Sequence, residues 1–392
     1  MLSTQQLENC SSFSKELELK QLAKSDRVSI IYIHGTARSG STIAEIVLSQ
    51  VADLTIHQPF RGVLQQAGGR FRATKLDFDV DIYDSACGLI VKQINQYLQN
   101  NQKIVVVIKE LAGFFQPCIW QRWLEIPDKF LFTIREPHIQ YMSWLSAMTD
   151  KVFQGKGKLQ ENRDFVISKA KITETSILSA EWEGTTISCN QFAWNALVDN
   201  FYQVKKEISS ISSVRKKVAI LDLVLLRYKP NIVLKNTLEK LGIKSEINFN
   251  NLSKVESNIW DIRDKNRPMV RKANNSNTIN PLTTEEVVSL NIFPIKSQQH
   301  IQELIPLYLD LLFASDQVYL PSLTELETTE LIVVNPFLAY AVALFHLKNQ
   351  AQVNNWFQTI AKNKSIKIDN FQGSLTIANK TIIGSRLQKL DS

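Results

Sequence analysis

Five short runs of β-branched and other apolar residues, each separated from the next by helix-patterned sequence, constrain this chain more than any other feature. They fall at residues 28–33 (VSIIYI), 54–56 (LTI), 103–108 (KIVVVI), 129–134 (KFLFTI) and 218–221 (VAIL). A run that is apolar along its length, rather than at alternate positions, has both faces buried, which is the habit of parallel strands. Residues 41–51 place Ile43, Ile46, Val47 and Val51 on one helical face. Residues 81–99 and 297–314 are likewise amphipathic, and residues 137–149 open with a proline suited to a first helical turn. A further helix runs from 230 to 241, where Gly242 stops it. Strands alternating with helices predict an α/β fold, a parallel sheet flanked by helices on both faces.

The chain has 392 residues, of which 44% are apolar and 21% charged, so a sizeable core can form and a disordered chain is excluded. Lys and Arg number 45 against 38 Asp and Glu. The resulting charge of +7 suits a polyanionic small ligand, and without a basic run nucleic acid is not an expected partner. Cys10, Cys87, Cys118 and Cys189 are scattered with no CxxC pair, which reads as reduced thiols in a cytoplasmic protein. Residues 1–27 form a polar arm without an apolar signal core. The longest apolar stretch, residues 331–347, contains Asn335, Pro336 and His346. It falls short of the ~20 residues that span a bilayer, so it reads as a packing helix and no membrane partner is expected.

Three domains of organisation follow: the arm at 1–27, an α/β domain at 28–315, and a helical C-terminal extension at 316–392. Residues 151–186 are polar and mixed and read as an insertion or lid. Residues 245–281 are Asn- and Ser-rich and carry Arg263, Lys265, Arg267, Arg271 and Lys272. The extension offers a surface for a homodimer.

The segment after the first strand is Gly35-Thr36-Ala37-Arg38-Ser39-Gly40-Ser41-Thr42. Between a strand and a helix, backbone N–H groups and the positive helix end converge on an anion. The outer spacing is that of a Walker A loop, but Ser41 stands where an ATPase or kinase has lysine. Arg38 is the only cation in the loop. Asp222 is the one tolerable candidate for a Walker B carboxylate.

Arg38-Ser39-Gly40-Ser41-Thr42 resembles the 5′-phosphosulfate loop of sulfotransferases that use 3′-phosphoadenosine 5′-phosphosulfate (PAPS). Arg135 at the end of the fourth strand, with Ser143 eight residues later, is similar to the pair that binds the donor's 3′-phosphate in that family. Residues 217–242 and His57-Gln58-Pro59-Phe60 add weaker matches, and the likeness covers about residues 28–315. The resemblance implies a P-loop-containing sulfotransferase fold with PAPS as donor. It implies that Arg38, Ser39, Gly40, Ser41 and Thr42 hold the 5′ side, with Arg38 stabilising charge on the leaving oxygen. Lys109, at the end of the third strand, matches a lysine that reaches the sulfate. Arg271 and Lys272 match a late basic loop that completes the 3′-phosphate site, although the family's glycine is missing there. Ile43 replaces the tryptophan that many members stack on adenine.

The two positions at which relatives carry the general base hold Leu111 and Gln58. Their neighbours His57 and Glu110 are therefore the candidate proton acceptors, with His57 preferred because imidazole suits base work near neutral pH. The expected acceptor is a hydroxyl or amine of a small molecule, a metabolite or natural product. No metal site is expected. The alternatives are a P-loop kinase-like enzyme and a non-catalytic nucleotide-binding protein.

Overall fold

The computed structural model describes residues 13–66, 80–114, 117–141, 143, 193–210, 216–244, 247, 279, 295–314, 316–328 and 330–363. The expected insertion at 151–186, the basic residues Arg271 and Lys272, and the extension beyond 363 lie outside them. Among the described residues, no helix is long and apolar enough to cross a membrane.

All five apolar runs form strands: β1 Val28–Gly35, β2 Leu54–His57, β3 Ile104–Leu111, β4 Lys129–Ile134 and β5 Lys217–Asp222. They make one sheet in the order β2-β3-β1-β4-β5, and the register pairs are parallel. Parallel neighbours need long crossovers, which the intervening helices supply. β1 is central, with β3 and β2 to one side and β4 and β5 to the other. The loop at its carboxyl end therefore lies at the topological switch point, where open α/β sheets bind ligands.

Two strands run further than their apolar residues suggest. β1 continues through His34 and Gly35, and β3 through Lys109, Glu110 and Leu111. The polar side chains at these ends are nevertheless buried: His34 is 0% exposed, Lys109 3% and Glu110 0%. His34 is accommodated because Nδ1 pairs with the Tyr32 hydroxyl at 3.2 Å and Nε2 with the Asn200 amide at 3.0 Å. Its ring stacks on Trp120, with centroids 4.7 Å apart. Burial pushes its pKa down to about 3, so it stays a neutral core group.

The described helices are α1 Ser14–Lys24, α2 Ser41–Leu48, α3 Pro59–Gln66, α4 Val80–Leu98, α5 Pro117–Trp123 and α6 Trp194–Ser210. They continue with α7 Leu223–Tyr228, α8 Pro230–Lys240, α9 Ile295–Leu312, α10 Leu323–Thr328, α11 Leu331–Val334, α12 Pro336–Leu347 and α13 Gln350–Asn363. Residues 137–141 are also helical. Gly242, at φ 66, follows α8 in the left-handed region that glycine adopts without a Cβ penalty.

The chain divides into two compact units. The described residues of Met1–Thr133, Gln191–Ala219 and Leu238–Ile279 belong to the first, and those of Ile134–Asn190, Ile220–Thr237 and Asn280–Ser392 to the second. The first unit's core gathers Tyr32, Phe60, Trp120, Trp123 and Phe130, all fully buried. α1 lies within the stretch read as an arm. It buries Leu19 and Ala23, and Asp84 accepts from the N–H groups of Lys15 and Glu16 at 3.0 Å each. In the second unit the apolar stretch breaks at Asn335 into α11 and α12. α12 is apolar all round and buried from Pro336 to Leu344, as such a helix must be.

Candidate functional site

Gly35 ends β1 where the backbone must come close to β4. A Cβ on it would lie 2.0 Å from Thr133 Oγ1 and 2.6 Å from Ser39 Oγ. Those two hydroxyls bond each other at 2.7 Å, and Ser39 Oγ also donates to Thr36 O at 2.8 Å. Ser39 therefore holds the shape of the loop from inside. Gly35→Ala is expected to destabilise the protein by about 1–3 kcal/mol through overpacking. Adding Thr133→Ala should recover part of that loss in a denaturant titration. Equal midpoints for Gly35→Ala and the native chain would show that the close approach is not tight.

Arg38 has φ 67, and Gly40 φ 94. Two left-handed residues in so short a loop reverse it onto the start of α2, and the non-glycine one is strained backbone of the kind found at ligand sites. Gly40 is the N-cap of α2 and supplies no side-chain hydrogen bond to it. The first N–H groups of a helix have no intrahelical acceptor. With Ser41 buried and Thr42 half-buried behind that glycine, the helix start can receive an anion.

The cation missing at position 41 arrives from another strand. Lys109 donates from Nζ to Thr42 Oγ1 at 3.1 Å, which sets its ammonium at the first turn of α2. In register Lys109 pairs with Ile33 on β1 and His57 on β2. The His57 Nδ1 lies 2.7 Å from Glu45 Oε2, one helical turn beyond Thr42. Glu45 is 2% exposed. Burial works to raise its pKa, but the charge and hydrogen bond of His57, with Lys109 behind, outweigh it and hold the carboxyl below its ordinary range. Thr42, Glu45, His57 and Lys109 thus form one cluster beside the loop between β1 and α2. Gln58, next to His57, has φ 47, donates its N–H to Lys109 O at 2.8 Å and accepts from Arg61 Nη1 at 2.8 Å.

Glu45 did not emerge from the sequence pattern. The signal was there: a single carboxylate inside STIAEIVL, three residues after the loop's last threonine.

Glu110 alternates to the other side of β3 from Lys109 and pairs in register with His34. Its Oε2 accepts from the N–H groups of Phe60 and Arg61, both at 3.1 Å, and its Oε1 from Leu111 N at 3.0 Å. The carboxylate thereby caps the start of α3. Arg135 directly follows β4, and Ser143 lies in the helical segment beyond it, both in the second unit.

Asp222 is 1% exposed at the end of β5. Its Oδ1 caps α7 by accepting from Leu225 N at 2.8 Å, and its Oδ2 accepts from the Tyr308 hydroxyl at 3.0 Å. Both oxygens are engaged in structure.

Burial pushes Asp222 up to about 7, with the Glu136 charge adding to it and the Leu225 and Tyr308 bonds opposing. Burial likewise takes Glu110 up to about 7 against its backbone N–H partners. Unfolded carboxyls ionise near ~4. Between these values the folded state binds more protons than the unfolded one, so stability is lost as pH rises toward 7. Glu45 has the opposite sign, and its effect lies below its ordinary pKa of 4.5. The thermal midpoint should therefore be higher near pH ~5.5 than near ~8, and Asp222→Asn should flatten that slope. An unchanged slope in the variant would remove Asp222 as a cause.

No family model matches the chain, and no curated protein matches it. Among solved structures it is similar to the sulfotransferase domain from the curacin biosynthetic pathway. The identity is 18%, over 57% of this chain and 76% of that one, with a TM-score of 0.31. It is also similar to a chain of the PezAT chromosomal toxin–antitoxin system of Streptococcus pneumoniae, at 14% identity over 52% of this chain and 78% of that one, with a TM-score of 0.24. Neither likeness assigns the chain to a family.

Proposed function

We propose that the chain is a sulfotransferase that moves a sulfuryl group from PAPS to a hydroxyl or amine of a small molecule. The observation that carries this reading is the Lys109 ammonium at the first turn of α2, 3.1 Å from Thr42, beside a histidine anchored on a buried carboxylate. A phosphate-type cradle with its cation supplied by β3 suits a dianionic leaving nucleotide, and an imidazole next to it suits removal of an acceptor proton.

PAPS supplies an activated sulfuryl group on a 5′-phosphate. The N–H groups at the start of α2 and the hydroxyls of Ser41 and Thr42 hold that 5′ side, with Ser39 and Gly40 setting the loop. Arg38 and Lys109 stabilise the charge that grows on the bridging oxygen as its bond to sulfur breaks. His57, held through Nδ1 by Glu45, takes the proton from the acceptor as the new bond to sulfur forms. Arg135 and Ser143 take the 3′-phosphate, a forked guanidinium and a hydroxyl suited to a dianion, and Arg271 and Lys272 complete it.

Calorimetric titration with 3′-phosphoadenosine 5′-phosphate (PAP), 5′-AMP and ATP tests the reading. The expected result is micromolar PAP binding, weaker 5′-AMP binding and no ATP binding. ATP binding without a preference for PAP would select a kinase-like enzyme. PAP binding with no turnover across a panel of alcohols and amines would select a non-catalytic nucleotide-binding protein.

A further inference from the structure

The second unit holds a buried polar group that takes no part in the chemistry above. Glu136, the neighbour of Arg135, is 2% exposed. Its Oε1 lies 2.7 Å from Nδ1 of His138, which is fully buried. Its Oε2 accepts from the side-chain amide of Asn335, 199 residues further along the chain. Asn335 is itself 3% exposed, and its Oδ1 accepts from Leu338 N at 2.9 Å, capping α12. The His138 ring stands edge-on to Phe337 at 5.3 Å, and the Tyr308 ring lies 6.4 Å from the same phenylalanine.

A carboxylate this deeply buried is tolerated only when its oxygens are bonded. Asn335 meets that need with one end of its amide while the other end starts α12. The two donor–acceptor roles fix the amide's direction, so the residue clamps Glu136 to a helix end. Glu136 also accepts the backbone N–H of Gln140 at 2.9 Å, opening the helical segment after β4. With Glu136 fixed at both backbone and side chain, the direction in which Arg135 leaves the strand is fixed too. A planar guanidinium that must meet a phosphate through paired N–H groups depends on that orientation.

We propose that Asn335 of the C-terminal extension, acting through Glu136, is a positioning residue for Arg135 and so sets recognition of the donor's 3′-phosphate. This rests on the reading that Arg135 binds that phosphate.

The test uses the full chain. Asn335→Asp keeps the acceptor for Leu338 N but replaces the donor to Glu136 by a second carboxylate. Combining it with Glu136→Gln restores an amide–carboxylate pair with its direction reversed. Two readouts are needed: amide hydrogen exchange of residues 135–141 without ligand, and the ratio of PAP to 5′-AMP affinity. Asn335→Asp should speed exchange in that segment and weaken PAP about tenfold, with 5′-AMP changed less than about twofold, because one charge-assisted contact is misaligned. The double variant should recover both readouts, and it carries the test if the single variant does not fold. A folded double variant that fails to recover the ratio overturns the proposal. So does an Asn335→Asp protein with native exchange and a native ratio. Arg135→Ala separates the two readings. If it collapses the ratio while Asn335→Asp does not, Arg135 keeps its role and the extension loses its own. If Arg135→Ala leaves the ratio unchanged, the 3′-phosphate assignment fails and this proposal falls with it.

Discussion

Lys109→Met is expected to lower the transfer rate by ~10²–10³ at saturating donor and acceptor, the loss typical of removing one donor aimed at transition-state charge. Methionine keeps the buried stem of Lys109 and removes only the ammonium that reaches Thr42 Oγ1. Arg38→Ala should cost a similar factor. If both cations act on the same bridging oxygen, the double variant will lose less than the product of the two single losses, since residues acting as a unit are non-additive. Binding of PAP should weaken in each single variant by less than the rate falls, because charge on that oxygen is greatest while the bond to sulfur is breaking. Activity within a few-fold of native in both single variants would sink the assignment of the loop. A large loss in Arg38→Ala alone would leave Lys109 as a buried cation that only organises Thr42 and Glu45.

The sheet was legible because its strands are short apolar runs, and the loop because a glycine–serine turn between strand and helix has few other uses. His57 and Lys109 follow two of these runs and were singled out through the family resemblance, and the structure links both to α2. Less legible was everything that depends on two distant segments meeting. Glu45 sits in a helix whose other residues read as a plain core face, and its burial makes sense only once His57 arrives from β2. His34 lies one residue beyond the run at 28–33, and its ring is satisfied by Asn200, 166 residues away. Glu136 and Asn335 are further apart still, and neither has a local pattern that names its partner. The helix α1 was hidden because it buries two apolar residues amid charges, its remaining burial being that of Glu16 in ion pairs with Lys20 at 2.8 Å and Arg122 at 2.6 Å. The left-handed backbone at Arg38 is likewise a product of the folded loop, since arginine has no preference for that region.

His57→Ala should lower kcat by ~10²–10⁴ and leave PAP affinity nearly unchanged, the signature of a lost general base. Glu45 Oε2 lies 2.7 Å from Nδ1 of His57. Glu45→Gln removes the charge while keeping an oxygen that accepts from Nδ1. Its kcat loss should be smaller than that of His57→Ala, because the base survives and only its charge partner is gone. Stability provides an independent check. The Glu45 carboxyl is held below its ordinary range in the folded state, so its contribution is present above that range and lost as pH falls through the folded value. Glu45→Gln should thus be less stable than the native chain near neutrality, and the difference should shrink in acid. Glu110→Gln should instead act through the N–H groups of Phe60 and Arg61 that the carboxylate caps, lowering stability rather than kcat. A near-normal kcat in His57→Ala would remove His57 as the base. A kcat loss in Glu45→Gln as large as that in His57→Ala would show that the imidazole works only with the charged carboxylate beside it.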